Sequence, residues 1–159
     1  MNSEQILFKE FDAIRVDLIK AYDAKGMRAS GKWADSLQVE AGPLNAVITG
    51  LSYSQQLETG RRANNGSSGE TWDTTLADIE QWIRDKGITP RENNMKISTL
   101  AFLIARKIAR EGWNREGYGG VELISEVVTD KRIQDIIEKV GEVTLFEYTT
   151  EIIKMIKEI

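Results

Sequence analysis

The sequence predicts an α+β protein with a long N-terminal helix, a β-hairpin, two packed central helices and a mainly helical C-terminal segment. Apolar residues recur at helical spacing over residues 3–24, and two short alternating segments flank a turn at residues 42–45. Wide apolar stripes return after residue 73. We expect an α+β domain over residues 1–128 and a helical segment over 129–159 that packs on it or on a neighbouring copy.

The first helix is predicted from a stripe of large apolar side chains. Ser3 stands where an N-cap is expected, and Lys25 and Gly26 end the pattern. The stripe consists of Leu7, Phe11, Ile14, Leu18 and Tyr22.

The hairpin is predicted from residues 36–41 and 46–51, which flank a Gly-Pro-Leu-Asn turn. A two-stranded hairpin is marginal by itself in water, so it must pack on a helix or pair with another chain. Its edge is a place where a second subunit could add a strand.

Two helices are predicted after a loop rich in Gly, Ser and Asn at residues 63–71, which we expect to gain order in an assembly. Residues 73–75 are expected to cap a helix that runs to Lys86, with Gly87 as the residue after its end. The most apolar helix, residues 94–111, is expected to lie centrally. Residues 117–120 are predicted to form another loop.

The C-terminal segment carries two apolar stripes separated by Gly141, which predicts two helical stretches. A strand over residues 143–150 is the alternative, because that stretch is rich in β-prone residues.

Composition excludes several classes of function. The chain has no cysteine and no histidine, which removes thiolate nucleophiles, the usual general base and the commonest metal ligands. No Walker A, dinucleotide-binding or nucleophile-elbow pattern is present. We therefore expect no enzyme, no cofactor and no metal. We also expect no signal peptide and no membrane span, and an aqueous compartment.

Three short segments carry a resemblance to a known family. Residues 53–62 read YSQQLETGRR after the predicted hairpin, residues 79–88 read IEQWIRDKGI, and residues 100–108 read LAFLIARKI. In this order they resemble the tail-completion proteins of tailed phages, the small head–tail connector or neck proteins. The resemblance covers roughly residues 27–112. It implies a structural virion protein, assembled in the host cytoplasm, whose copies form a ring between the portal complex and the tail tube.

The resemblance also implies which residues matter. They fix the corner from hairpin to helix and contribute one subunit contact: Tyr53, Glu58, Gly60, Arg61, Arg62, Trp82, Lys86 and Gly87. The implied partners are further copies of the chain, portal or adaptor proteins, tail-tube proteins and the DNA in the channel. The sequence departs from the family pattern in its longer loop at residues 63–71, and the tail after residue 129 matches no family motif.

Other interpretations of the same residues remain open. Glu58 with Arg61 and Arg62 is either an exposed turn with a solvated ion pair, a subunit contact, or a catalytic or phosphate-binding group. Glu40 and Glu58 are a weak candidate for a glycosidase carboxylate pair. The four tryptophans are a stacking platform or, as we expect of Trp82 above all, core anchors.

A cluster of basic residues supports one further hypothesis. Residues 84–115 hold eight cationic and three anionic side chains in a chain whose net charge is −4. Arg106, Lys107 and Arg110 are therefore either DNA-facing residues or the solvated face of an apolar helix. The alternatives to a connector are a tail terminator and a small DNA-binding or enzymatic phage protein.

Overall fold

The computed structural model describes residues 1–61, 63, 70–91, 94–113 and 122–157, and the side chains of residues 70 and 71 are outside this description. The described elements follow in chain order: α1 Ser3–Ala24, α2 Lys32–Ser36, β1 Gln38–Ala41, β2 Ala46–Thr49, α3 Ser54–Thr59, α4 Glu70–Asp85, α5 Ile97–Glu111, α6 Leu123–Val127 and α7 Asp130–Lys157. The α+β class is confirmed.

Helix α1 is the organising element, because both strands and helices α6 and α7 pack against it. Its predicted stripe faces the main core, in which Ile14 is almost completely buried. The core combines this stripe with side chains from the first loop, the hairpin entry, α3, α6 and α7; its other buried members are Met27, Trp33, Ala34, Leu37, Leu57, Leu123 and Ile136.

The N-cap of α1 is Asn2, and our prediction of Ser3 is wrong. The Gln5 N–H donates to Asn2 Oδ1 at 2.9 Å, and the Asn2 N–H donates to the Gln5 side chain at 3.1 Å. This is a capping box, which satisfies two helix donors reciprocally. Ser3 is instead buried as the first helical residue.

The hairpin pairs in antiparallel register, with Val39 opposite Ile48 and Glu40 opposite Val47. Both strands are shorter than predicted. The chain before β1 forms the short helix α2, which the sequence did not reveal, and this helix buries Trp33 against the Tyr22 ring with centroids 4.5 Å apart.

Helices α4 and α5 pack on each other to form a helical hairpin. Helix α4 begins at Glu70, so Asp73 lies in its first turn, where acidic residues are also favoured, and not at its cap. The prediction that α5 lies centrally is wrong. Among the described residues, the main core contains no side chain from α4 or α5. The buried side of α5 is instead a stripe of small residues, Ala101, Ala105 and Ala109. Phe102 of α5 also contacts α4, with its ring edge-to-face with Trp72 at a centroid distance of 6.1 Å.

Helix α7 is continuous over 28 residues, so neither a break at Gly141 nor a strand over residues 143–150 is correct. It runs antiparallel to α1. Arg132 lies 2.9 Å from Asp17, and Lys139 lies 2.7 Å from Glu10. The hydrogen bond from Arg132 is the main reason why the pKa of Asp17 is lowered.

Candidate assembly surfaces

The segment that carries the resemblance forms a corner within one chain. Helix α3 positions Glu58, whose carboxylate accepts the Ile124 N–H at 2.5 Å and the hydroxyl of Ser125. The Glu58 carbonyl oxygen accepts the Glu122 N–H at 2.8 Å. Glu58 therefore caps α6, where backbone N–H groups lack helical partners and a negative charge is favoured.

This capping role bears on the two interpretations in which Glu58 is a catalytic group. Its carboxylate is occupied by α6, while Glu40 is exposed on β1. Across the described ranges, no group of three or more His, Cys, Asp or Glu residues is placed to hold a metal ion. Nothing in the described geometry joins Glu58 to a second carboxylate for acid–base work.

Gly60 and Arg61 continue the corner through their backbones. Gly60 ends α3 with φ +70° and ψ −169°, a conformation that is essentially restricted to glycine. Arg61 then pairs with Trp113 by two backbone hydrogen bonds of 2.9 and 2.7 Å. These residues join α3 to the end of α5. Arg62 lies outside the described residues, as do residues 64–69 of the predicted loop and all of the predicted loop at 117–120.

Tyr53 lies at the start of α3 and is 39% exposed. Partial burial, followed by the nearby Asp78 carboxylate, raises the pKa of its hydroxyl. The adjacent Ser54 hydroxyl accepts the indole N–H of Trp33 at 3.0 Å, which ties the beginning of α3 to the core. Among the described residues 53–61 that the resemblance names, Tyr53 is the one with an exposed side chain.

The end of α4 contains the other residues that the resemblance names, Trp82, Lys86 and Gly87. Trp82 is 40% exposed, so our expectation of core packing is wrong; Ile83, one residue further round the helix, is the buried one. Lys86 donates from Nζ to the Gly26 carbonyl oxygen at 2.6 Å, which connects α4 to the end of α1. Gly87 has φ +64°, and the Ile88 N–H reaches the Ile83 carbonyl, which is the Schellman arrangement of a helix end.

One face of α5 is exposed, and it is apolar at one end and basic at the other. Phe102 and Leu103 are 44% and 45% exposed. Arg106, Lys107 and Arg110 follow on the next turns of the same side, because residues four apart share a helix face. Within the described part of the chain, the only ion pair of these three cations is between Lys107 and Glu111, at 3.9 Å.

The C-terminal part of α7 holds seven exposed large apolar side chains, the largest such group in any described element. We call residues 145–157 the α7 tip. Extending the register of α7 on α1 places residue 146 beside Ser3, so that roughly ten residues, about 15 Å of helix, continue past the end of α1. Its exposed large apolar side chains are Leu145, Phe146, Tyr148, Ile152, Ile153, Met155 and Ile156.

A groove of about 510 Å³ lies where the α7 tip leaves the body of the protein. Leu7 of α1, Leu44 of the hairpin turn and Tyr148 of the tip line it, so its walls are largely apolar. An apolar patch that is continuous with an apolar groove is typical of a protein-binding surface. No helix in the described residues is long and apolar enough to span a membrane.

The sequence reasoning identified the apolar stripe of α7 but not its exposure. The difference in helix length indicates this exposure, since α7 has 28 residues and its partner α1 has only 22. Comparison of the chain with protein-family models, with curated proteins and with solved structures found no match in any of the three.

Proposed function

We propose that this chain is a structural assembly protein, specifically a head–tail connector or tail-completion protein of a tailed phage. In this proposal, its copies form a ring between the portal complex and the tail tube, and the mature protein resides in the virion neck. The observation that carries the proposal is the α7 tip, an apolar surface that the chain's own fold leaves uncovered. The three segments that resemble connector proteins supply the specific class.

The size of the tip supports association. Burying one large aliphatic or aromatic side chain contributes about 1.5–3 kcal/mol. Seven such side chains on the tip are exposed, so that a partner covering even half of them gains a free energy comparable to the lower end of the association cost, roughly 4–15 kcal/mol. A surface of this kind is therefore a binding surface that the folded monomer leaves available.

A ring needs a surface on one copy that meets a different surface on the next copy. The described residues offer such surfaces at separate places, namely the α7 tip, the exposed side of α5 and the edges of the hairpin, whose two strands pair only with each other within the described ranges. Portal and tail-tube proteins then meet the two ends of the ring. The connector differs from a tail terminator in joining the head, and both would use the same ring.

The experiment that tests the proposal is light scattering across protein concentration, combined with negative-stain imaging of any large species. We expect concentration-dependent oligomers that resolve as rings with a central channel through which duplex DNA can pass. The variant Ile152→Glu/Met155→Glu places two charges on the tip and should reduce association at least tenfold. Both side chains are more than half exposed, so circular dichroism and the melting temperature should stay close to those of the parent.

The matched control is Ala13→Glu/Ala77→Glu, which places two charges on exposed helical positions of α1 and α4 outside the three surfaces. It should leave tip-driven association unchanged. A parent protein that stays monomeric at high concentration, or closed dimers without a channel, would contradict the proposal. Equal effects of the tip variant and the control would show that added charge, and not the tip, controls association.

A second candidate function is non-specific DNA binding, which the placement of Arg106, Lys107 and Arg110 on one exposed face favours. Phosphate contacts need cations and little else, and their number sets the salt dependence. Reversing the three charges should then abolish binding of a short duplex and its dependence on salt. Unchanged binding would exclude this face as the DNA contact.

A further inference from the structure

We propose that the α7 tips of neighbouring copies pack side by side in parallel. Each tip uses one row of side chains against the preceding copy and a second row against the next. The inference rests on the proposed function in requiring self-assembly, and it adds the residues that make the contact. The occupant of the exposed tip is therefore the tip of a second copy of this chain.

The tip repeats a seven-residue pattern. Residues 145–151 read LFEYTTE and residues 152–157 read IIKMIK, so the first, second, fourth and fifth places of each repeat are apolar, except for one threonine. Such a pattern forms two rows at three- and four-residue spacing, the spacing of coiled coils. All members of both rows are exposed. Seam A consists of Leu145, Tyr148, Ile152 and Met155, and seam B consists of Phe146, Thr149, Ile153 and Ile156.

The tip is preformed for a contact of this kind. It continues α7, whose first part packs on α1, so association does not carry the cost of nucleating a helix. Thr149 places a hydroxyl group in seam B. This hydroxyl donates to the Leu145 carbonyl oxygen at 2.8 Å, so it needs no partner from another molecule.

The two seams face away from the core of their own chain. Ile136 and Val140 of α7 pack in that core. They lie about 140–180° around the helix from the middle of the apolar face of the tip, taken at Leu145 and Ile156. Helix α1 therefore cannot cover the seams. When tips pack together, the rest of each copy lies on the outer side.

The charges beside the two seams have opposite signs. Residues 145–157 hold two glutamates and two lysines, so the placement of these residues matters and not their sum. Glu151 borders seam A and Lys157 borders seam B, as the g position of the first and the e position of the second. In parallel coiled coils these positions pair across the contact. Within the described residues neither side chain has an ion pair of its own.

The parallel contact of seam A with seam B is the most complementary arrangement. Two copies of seam A packed antiparallel would set their g positions together, so Glu151 would meet Glu151 of the other copy. An antiparallel contact of seam A with seam B would set Glu151 against Ile152 of the other copy. The parallel contact instead covers both seams. It uses a different seam on each copy, so it continues from copy to copy around a ring.

The first test blocks one seam at a time. Ile152→Glu/Met155→Glu blocks seam A, and Ile153→Glu/Ile156→Glu blocks seam B. All four side chains are exposed, so the melting temperature and circular dichroism of each variant should match those of the parent. Sedimentation should show each variant alone as a monomer at concentrations at which the parent associates. An equimolar mixture should form dimers and nothing larger, because one intact seam A and one intact seam B remain.

The second test exchanges the charges. Glu151→Lys and Lys157→Glu each set like charges across every contact, and each should weaken association by about fivefold or more. The variant with both substitutions restores opposite charges and should return to within about twofold of the parent. The matched controls are Glu147→Lys and Lys154→Glu, which make the same changes of charge on the side of α7 opposite the seams. They should leave association within about twofold of the parent.

Three kinds of result would overturn the inference. A seam B variant that associates like the parent would mean that seam A acts alone, as in a two-fold tip–tip dimer. A double exchange that does not restore association, or controls that lose as much as the reversed variants, would remove the parallel pairing. A parent that stays monomeric would exclude the contact and leave the tip to a different partner.

The outcome also separates this inference from the proposed function. Rings that form equally well in the seam B variant and in both charge reversals remove the tip contact and leave the connector proposal in place. Association that needs both seams but gives a bundle without a channel for DNA keeps the tip contact and removes the connector.

Discussion

Glu58 shows how one side chain can join distant parts of the chain. Its carboxylate and its carbonyl oxygen both accept hydrogen bonds from the beginning of α6, 64–67 residues away in sequence. The structure places this residue near the end of α3, and no local pattern in the sequence reveals its partner. A cap that is supplied from another element leaves no spacing in the sequence to recognise.

We predict that Glu58→Ala lowers the free energy of unfolding by about 1–2 kcal/mol, because it leaves N–H groups of α6 without an acceptor. Urea unfolding of the purified protein measures this. Glu40→Ala is the matched control, since Glu40 is exposed on β1 and should change stability by less than about 0.5 kcal/mol. Equal losses in both variants would remove the capping role.

At the scale of single elements, the sequence predicted most of what depends on local pattern. The α1 stripe, the hairpin turn and the helix ends at Gly26, Gly87 and Gly112 follow from periodicity and backbone preference. The predicted helix break at Gly141 is wrong for a physical reason. A glycine costs a helix about 1 kcal/mol, and a 28-residue helix that packs against α1 on both sides of it offsets that loss.

We predict that Gly141→Ala raises the free energy of unfolding by about 0.5–1 kcal/mol. A Cβ at this helical position meets no atom within 4 Å, so the methyl group removes chain entropy without a clash. The control is Gly87→Ala, where an added Cβ is equally free of contacts but φ is +64°. It should lower stability by about 1 kcal/mol or more. The two variants therefore have opposite signs in the same thermal or urea assay.

At the scale of the whole molecule, the packing arrangement of the helices could not be predicted from the sequence. The stripes of α5 and α7 identify apolar faces, but they do not say which of them the chain covers. Helix α5 was expected at the centre and instead presents Phe102 and Leu103 to solvent. The α7 tip is exposed because its partner helix ends first. Which apolar faces become buried depends on the relative lengths of the helices and on how they pack, and both are properties of the folded chain.

The ion pair between Asp17 of α1 and Arg132 of α7 makes the stability of the folded chain depend on pH. The pKa of Asp17 is lowered by Arg132, so the pair stabilises the folded chain above the ordinary value of 3.8, and the stabilisation is lost as the pH falls through the lowered folded-state pKa. Asp17→Asn should therefore lower stability by up to about 1 kcal/mol at pH 7. This difference from the parent should shrink as the pH falls below 3.8.

The control for this prediction is Asp12→Asn, whose partner Arg15 lies on the same helix. It removes the same charge from α1 and leaves the contact with α7 intact. Urea unfolding at several pH values measures both variants. A loss in Asp17→Asn that stays constant from neutral to acidic pH would mean that the ion pair is not its origin.

The α7 tip also determines how the isolated chain must be handled. Apolar side chains of this size bind to any hydrocarbon surface, including detergent, unfolded chains and one another. The charged residues around them determine which of these contacts is favoured. Concentrated salt shortens the range of those charges to about 3 Å at 1 M and leaves the apolar attraction in force. High salt therefore favours indiscriminate clustering, while low salt and prompt mixing with the true partner favour ordered complexes.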